Sequence, residues 1–163
     1  MRRHLGVGGV LAALGAAVSL VGGGPAGADN GGRPFRLRMS GAEEFNRQGG
    51  RQQLPGDADH GTVVLTLNQG QEEICWRFGE LTMTAGEGLP FAAHIHEAPR
   101  GRAGDIVVDL FGPSAAPTAY PTGTTCVPAE ADVIKEIRQN PEDYYINLHN
   151  AQHPGGVIRA QLG

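Results

Sequence analysis

Basic residues are scarce in this chain and nowhere gathered. Thirteen Lys and Arg stand against 17 Asp and Glu, for a net charge of −4, and two of the arginines are Arg2 and Arg3. Loss of an N-terminal leader would make the balance more negative still, which argues against nucleic acid or an anionic membrane as a partner. Serine is sparse beyond the first 30 residues. Ser40 and Ser114 lie outside any Gly-x-Ser-x-Gly setting, so a serine hydrolase is excluded. The chain has no phosphate-binding glycine loop and no internal repeat, and no histidine occurs between Glu97 and Leu148. Its longest apolar stretch, LGVGGVLAALGAAVSLVGGG, is interrupted by glycine and is followed by no charged stop-transfer flank, so it does not read as a spanning helix of ~20 strongly apolar residues.

That stretch has another meaning. MRRH is a positive start, the glycine-rich apolar run is its core, and Ala26-Gly27-Ala28 is a small-x-small cleavage site. Residues 1–28 are therefore expected to be a signal peptide cut after Ala28, by the general or the twin-arginine route. Residues 29–33 form a flexible lead, and 34–162 a single domain. The mature protein is expected to be secreted and extracellular, to keep no membrane span, and to be a monomer.

Only two cysteines are present, Cys75 and Cys126. An even pair in an exported domain reads as one structural disulfide, closing a loop of about 50 residues.

Strand periodicity dominates the rest. FRLRMS alternates through Phe35, Leu37 and Met39, and TVVLTLN through Val63, Leu65 and Leu67. NQGQ is a turn signal, answered by EICWRFGEL with Ile74, Trp76 and Phe78 on one face and Cys75 on the other. LTMT, FAAHIHEA and GDIVVDLF supply further extended segments, and a Pro/Gly/Ala loop runs to Cys126. PAEADVIKEIRQN changes period, with Val133, Ile134 and Ile137 at helical spacing between Pro128 and Asn140-Pro141. DYYINLHN and GVIRAQL are two closing strands around a Gly/Pro turn. About seven strands and one short connecting helix predict an all-β, antiparallel Greek-key sandwich.

Together, EICWRF, AHIHEAPRGRAGDIVVDLF, GTTCV, YYINLHN and HPGGVIRAQL resemble the CHRD (chordin-type) domain of exported bacterial proteins, from about Pro34 to Leu162. The resemblance implies an immunoglobulin-like β-fold distantly related to Cu/Zn superoxide dismutases. Its animal members bind secreted growth factors of the bone morphogenetic type, and its bacterial members have no agreed function, so the likeness speaks to fold more than activity.

On a strand, residues two apart share a face, so His94 and His96 stand side by side. In INLHN, Ile146 and Leu148 share one face and Asn147 and His149 the other. His149 joins the pair if the strands are neighbours, and His153 in the next turn offers a fourth imidazole. Such a cluster suits copper or zinc. HIHE is similar to the His-x-His strand that carries copper ligands in Cu/Zn superoxide dismutases. The histidine-free stretch from Glu97 to Leu148 removes that family's bridging and zinc ligands, leaving one mononuclear site at most. The other reading is a structural clamp, in which the imidazoles hydrogen-bond carbonyls or acids and hold the loop Ala98 to Gly104. GDADHG (Gly56 to Gly61) alternates acids like the start of a calcium loop but lacks the downstream glutamate, so it reads as a solvated loop. Two functions follow: a secreted, non-enzymatic module that binds an extracellular protein or ligand, or a mononuclear copper or zinc protein.

Overall fold

The structure, a computed structural model, describes residues 32–51, 58–114 and 119–163. The expected signal peptide and its cleavage at Ala28 lie outside the described residues. Eight strands follow in order: β1 (Arg33–Ser40), β2 (His60–Asn68), β3 (Glu73–Thr82), β4 (Ala92–Glu97), β5 (Asp105–Phe111), β6 (Thr125–Pro128), β7 (Tyr144–His149) and β8 (Ile158–Gln161). One helix, α1 (Ala131–Gln139), precedes β7.

All strand pairs are antiparallel, and the sheet runs β5-β4-β7-β8-β1-β2-β3-β6. The expected all-β fold is present, with the strands in one nearly closed sheet. β1 and β8 pair only at Ser40 and Arg159, so the sheet bends sharply there into two four-stranded halves. At the far side the edge strands β5 and β6 approach one another, and Phe78 of β3 meets Phe111 of β5 edge to face at 6.0 Å.

The alternation in sequence becomes the core. Phe35 and Met39, Val63, Leu65 and Leu67, and Ile74 and Trp76 point inward from one half, against Ile95, Leu110, Ile146, Leu148 and Ile158 from the other. Helix α1 adds Ile134 and Ile137, while Val133 stays half-buried. Cys75 and Cys126 face each other across β3 and β6 and form a disulfide.

Three boundaries differ from the sequence reading. Pro128 ends β6 rather than starting the helix, which begins at Ala131 after Glu130. The sequence gives no strand signal at Thr125–Pro128, because four residues among Pro, Gly and Thr are too few to show a period; pairing with β3 makes them extended. Leu81 and Thr82 continue β3 rather than forming a strand of their own. Among the described residues, no helix is long and apolar enough to cross a membrane.

A three-histidine candidate metal site

β7 shows why one face of the sheet is unusual. All six residues of YYINLH are buried, although only alternate ones reach the apolar core. The outward set, Tyr145, Asn147 and His149, lies on the polar face of the β5-β4-β7-β8 half. His94 pairs with Asn147 and His96 with Tyr145 across β4, while Asn147 and Tyr145 pair with Arg159 and Gln161 across β8. The sheet thus carries a buried polar layer on the side away from its core. Two register shifts between β4 and β5, at Ala93/His94 and Ile95/His96, each fall just before a histidine.

Each imidazole has one nitrogen tied to an oxygen that can only accept. His149 Nδ1 is 3.0 Å from the Pro154 carbonyl, and His96 Nδ1 is 3.0 Å from the Gly104 carbonyl. His94 Nε2 is 3.3 Å from Asp109 Oδ1. The two carbonyls place the protons on His149 Nδ1 and His96 Nδ1 and leave lone pairs on their Nε2 atoms, and a proton on His94 Nε2, facing Asp109, leaves a lone pair on His94 Nδ1. His94 Nδ1 and His149 Nε2 are only 2.9 Å apart, and His96 Nε2 is buried with no partner. Asn147 Oδ1 lies 2.9 Å from His149 Nε2. Acceptors therefore face acceptors at one point. In the metal-free protein a proton on His94 Nδ1 can bridge to His149, but His94 Nε2 then turns a lone pair on Asp109. A cation held by those nitrogens would leave each ring's other N–H facing its oxygen.

The distances suit an ion. One nitrogen from each of the three rings lies within 4.8 Å of the other two. Imidazole nitrogens on a tetrahedral ion, each bonded at ~2.0 Å, stand about 3.3 Å apart, close to the spacing of His94 and His149. Metal-bound histidines commonly donate their second N–H to a carbonyl or carboxylate, as His96 and His149 do here, and His94 Nε2 faces a carboxylate at 3.3 Å.

The rings are also held neutral. Burial, then the neighbouring His96, pushes His94 down to about 4. Burial, then His94, does the same to His149, also to about 4, and burial lowers His96. Glu44, 1 % exposed, is pushed by burial up to about 8 and is largely an uncharged acid at neutral pH.

These shifts set opposing pH dependences in the metal-free protein. The unfolded chain protonates His94 and His149 near 6.5, whereas the folded one resists to about 4. Their contribution is complete above 6.5 and is lost as the pH falls towards 4. Glu44 ionises at 4.5 when unfolded and at about 8 when folded, so it costs stability as the pH rises between those values. Stability is therefore expected to peak near or slightly above pH 6.5, where the three imidazoles no longer outweigh one carboxyl. Urea midpoints across this range check it, and Glu44→Gln should flatten the alkaline arm. A wild-type midpoint that does not fall above the peak excludes a neutral Glu44.

The fourth candidate is elsewhere. His153 Nε2 pairs with Glu87 Oε1 at 3.0 Å, and His153 is not in the three-histidine group. The loop Ala98 to Gly104 is clamped chiefly from β8. Arg159 donates to the carbonyls of Arg102 and Pro99, and Gln161 to that of Ala98, while His96 adds one bond at Gly104. Of the acid loop, Asp59 is buried and accepts from the backbone and hydroxyl of Thr84. Sequence reasoning placed Asn147 beside His149 but missed Arg159, Gln161, Glu44 and Glu87. The available signal was alternation itself: in IRAQ, Arg159 and Gln161 share a face with each other and with the histidine strands.

A cleft of about 460 Å³, lined by His94, His96, His149, Tyr145, Arg47 and Ile106 among others, opens onto the cluster. Neither the curated proteins nor the solved structures provide a match. Residues 35–162 match the CHRD domain, which spans the polar face, both cysteines and all three clustered histidines. The chain belongs to the CHRD domain family.

Proposed function

We propose that this CHRD-domain protein is an exported module that binds one copper or zinc ion through His94, His96 and His149. The observation carrying the reading is the set of three imidazoles whose second nitrogens each face an oxygen acceptor, with the remaining lone pairs turned to one point. Asn147 Oδ1 is an oxygen donor at the same point, and the cleft gives the ion a route in and a face towards solvent. The leader pattern and the disulfide support export.

Titration of the metal-free domain is expected to give one equivalent of copper or zinc per chain. His149→Ala should weaken binding about a hundredfold, since it removes one of three ligands and the bridge to His94. Failure of the wild type to bind either ion in the micromolar range would exclude the reading.

A second reading, a docking module for an extracellular protein or ligand, rests on the cleft's apolar rim. Phe91 and Ile106 line it and are 40 % and 50 % exposed. Capture of a defined extracellular partner by the metal-free domain, lost in Ile106→Asp, would favour it.

A further inference from the structure

We propose that Glu87 is a positioning residue for the metal site, acting through the β7–β8 turn; this rests on the metal-binding reading above. The orientation of His149 depends on the Pro154 carbonyl, 3.0 Å from its Nδ1. Pro154 lies in the turn between His149 and Ile158, so the site is only as fixed as that turn.

Within the turn, Asn150 Oδ1 accepts from the His153 backbone at 2.8 Å, and Gly156 donates to the His153 carbonyl at 3.1 Å. Those bonds shape the turn without fixing its place on the sheet. The Val157 N–H, bonded to the Leu148 carbonyl at 2.8 Å, ties its far end to β7, and two acids hold the rest. On one side, Gly156 lies against Glu44: a Cβ there would sit 2.6 Å from the carboxyl, and Gly156 has a φ of +130°. On the other side, Glu87 reaches over from the β3–β4 connection. Its Oε2 accepts from Asn150 Nδ2 at 3.0 Å, and its Oε1 accepts from His153 Nε2 at 3.0 Å. One carboxylate thus holds both flanks of the turn segment leading into Pro154.

The connection carrying Glu87 is itself moored. Thr84 donates through its backbone and hydroxyl to Asp59 Oδ1 at 2.7 and 2.8 Å, and Phe91 donates its backbone N–H to the His149 carbonyl at 2.9 Å. Anchor and ligand are therefore tied to the same strand end. With its side chain 9 % exposed, Glu87 cannot be replaced by bulk water without rearrangement. Removing it frees the Asn150 amide and the His153 ring together and leaves two buried donors without acceptors. The Pro154 carbonyl then loses its fixed position, and His149 loses the bond that keeps its proton on Nδ1 and the Nε2 lone pair turned towards His94 and His96. Partners of this kind, which orient a ligand without touching the ion, typically change metal affinity 10–100-fold.

The test uses the mature protein with Glu87→Ala and Glu87→Gln. Nitrogen NMR of the metal-free protein at neutral pH reads the His149 tautomer, and zinc titration reads affinity. The wild type is expected to show one tautomer, protonated on Nδ1. Glu87→Ala should mix the two tautomers and weaken zinc binding about tenfold, with Glu87→Gln between, because its amide keeps one acceptor. Lowered melting temperatures with an unchanged tautomer would mean a merely structural role and would overturn the proposal. So would zinc affinity within about twofold of wild type in a folded Glu87→Ala. Should Glu87→Ala fail to fold, the same comparison is made on Glu87→Gln. Should the wild type bind neither zinc nor copper, the metal-binding reading fails, and the tautomer alone decides: mixing supports positioning by Glu87, and no change overturns it.

Discussion

Replacing Arg159 by alanine is expected to destabilise the domain by about 3–5 kcal/mol, the loss expected when several buried acceptors lose their one shared donor. Arg159 is 1 % exposed and lies on β8, directly opposite Asn147. Its guanidinium donates to the Arg102 carbonyl at 2.6 Å, the Pro99 carbonyl at 3.3 Å and Gln161 Oε1 at 2.7 Å. It also stacks over the Tyr145 ring, 3.4 Å from its centroid, a cation–π contact strengthened by the absence of water. Alanine orphans three acceptors at about 1–3 kcal/mol each, partly relieved by water entering the space. Arg159→Lys should fall between, since one ammonium cannot span three acceptors that the planar fork reaches together. The loop Ala98 to Gly104 would loosen, and with it the Gly104 carbonyl that fixes His96. Urea denaturation measures the stability change, and zinc titration should report a weaker site. A loss below about 1 kcal/mol would mean that the loop holds without its cation.

Removing the Cys75–Cys126 bridge is expected to cost about 2–5 kcal/mol, as for native disulfides of small exported domains, and to lower the melting temperature by on the order of 10 °C. The two cysteines are 51 residues apart in sequence and directly opposite in the β3–β6 pairing. That pairing covers only Glu73 to Trp76 against Thr125 to Pro128, so the edge strand β6 has little else to hold it. Beyond it, the Ala129 N–H donates to the Glu72 carbonyl at 2.8 Å and fixes the approach to α1. A Cys75→Ser/Cys126→Ser protein should therefore show faster amide exchange in β6 and the start of α1. The histidine cluster lies on the other half of the sheet, so its metal affinity should barely change. Identical melting curves with and without reductant would show that β6 is held by pairing alone.

Much of this molecule was legible one strand at a time. Period-two alternation placed Phe35, Val63, Leu65, Trp76 and Ile146 inward, because a pleated chain must turn successive side chains to opposite faces. The same rule put His94 and His96 together, and Asn147 with His149. Cysteine count and the leader pattern pointed to the bridge. The helix was visible at Ile134 and Ile137, though its start was read too early, at Pro128, because proline both opens helices and ends edge strands.

Tertiary structure decided what the faces meet. Periodicity says that Arg159 and Gln161 point away from the core, and an outward arginine ordinarily reaches solvent. Here the β4–β5 loop folds over that face and supplies carbonyls at Ala98, Pro99 and Arg102. Strand order, which no local pattern encodes, set β4 beside β7 and so brought His149 to His94. The turn after β7 sent His153 to Glu87 instead and turned the Pro154 carbonyl to His149. Sequence by itself determined which imidazoles could share a face, since that is a property of the extended backbone. Only the folded chain decided which ring nitrogens keep their lone pairs, since those are set by oxygens that two loops and the neighbouring strand β5 bring from 5 to 15 residues away along the chain.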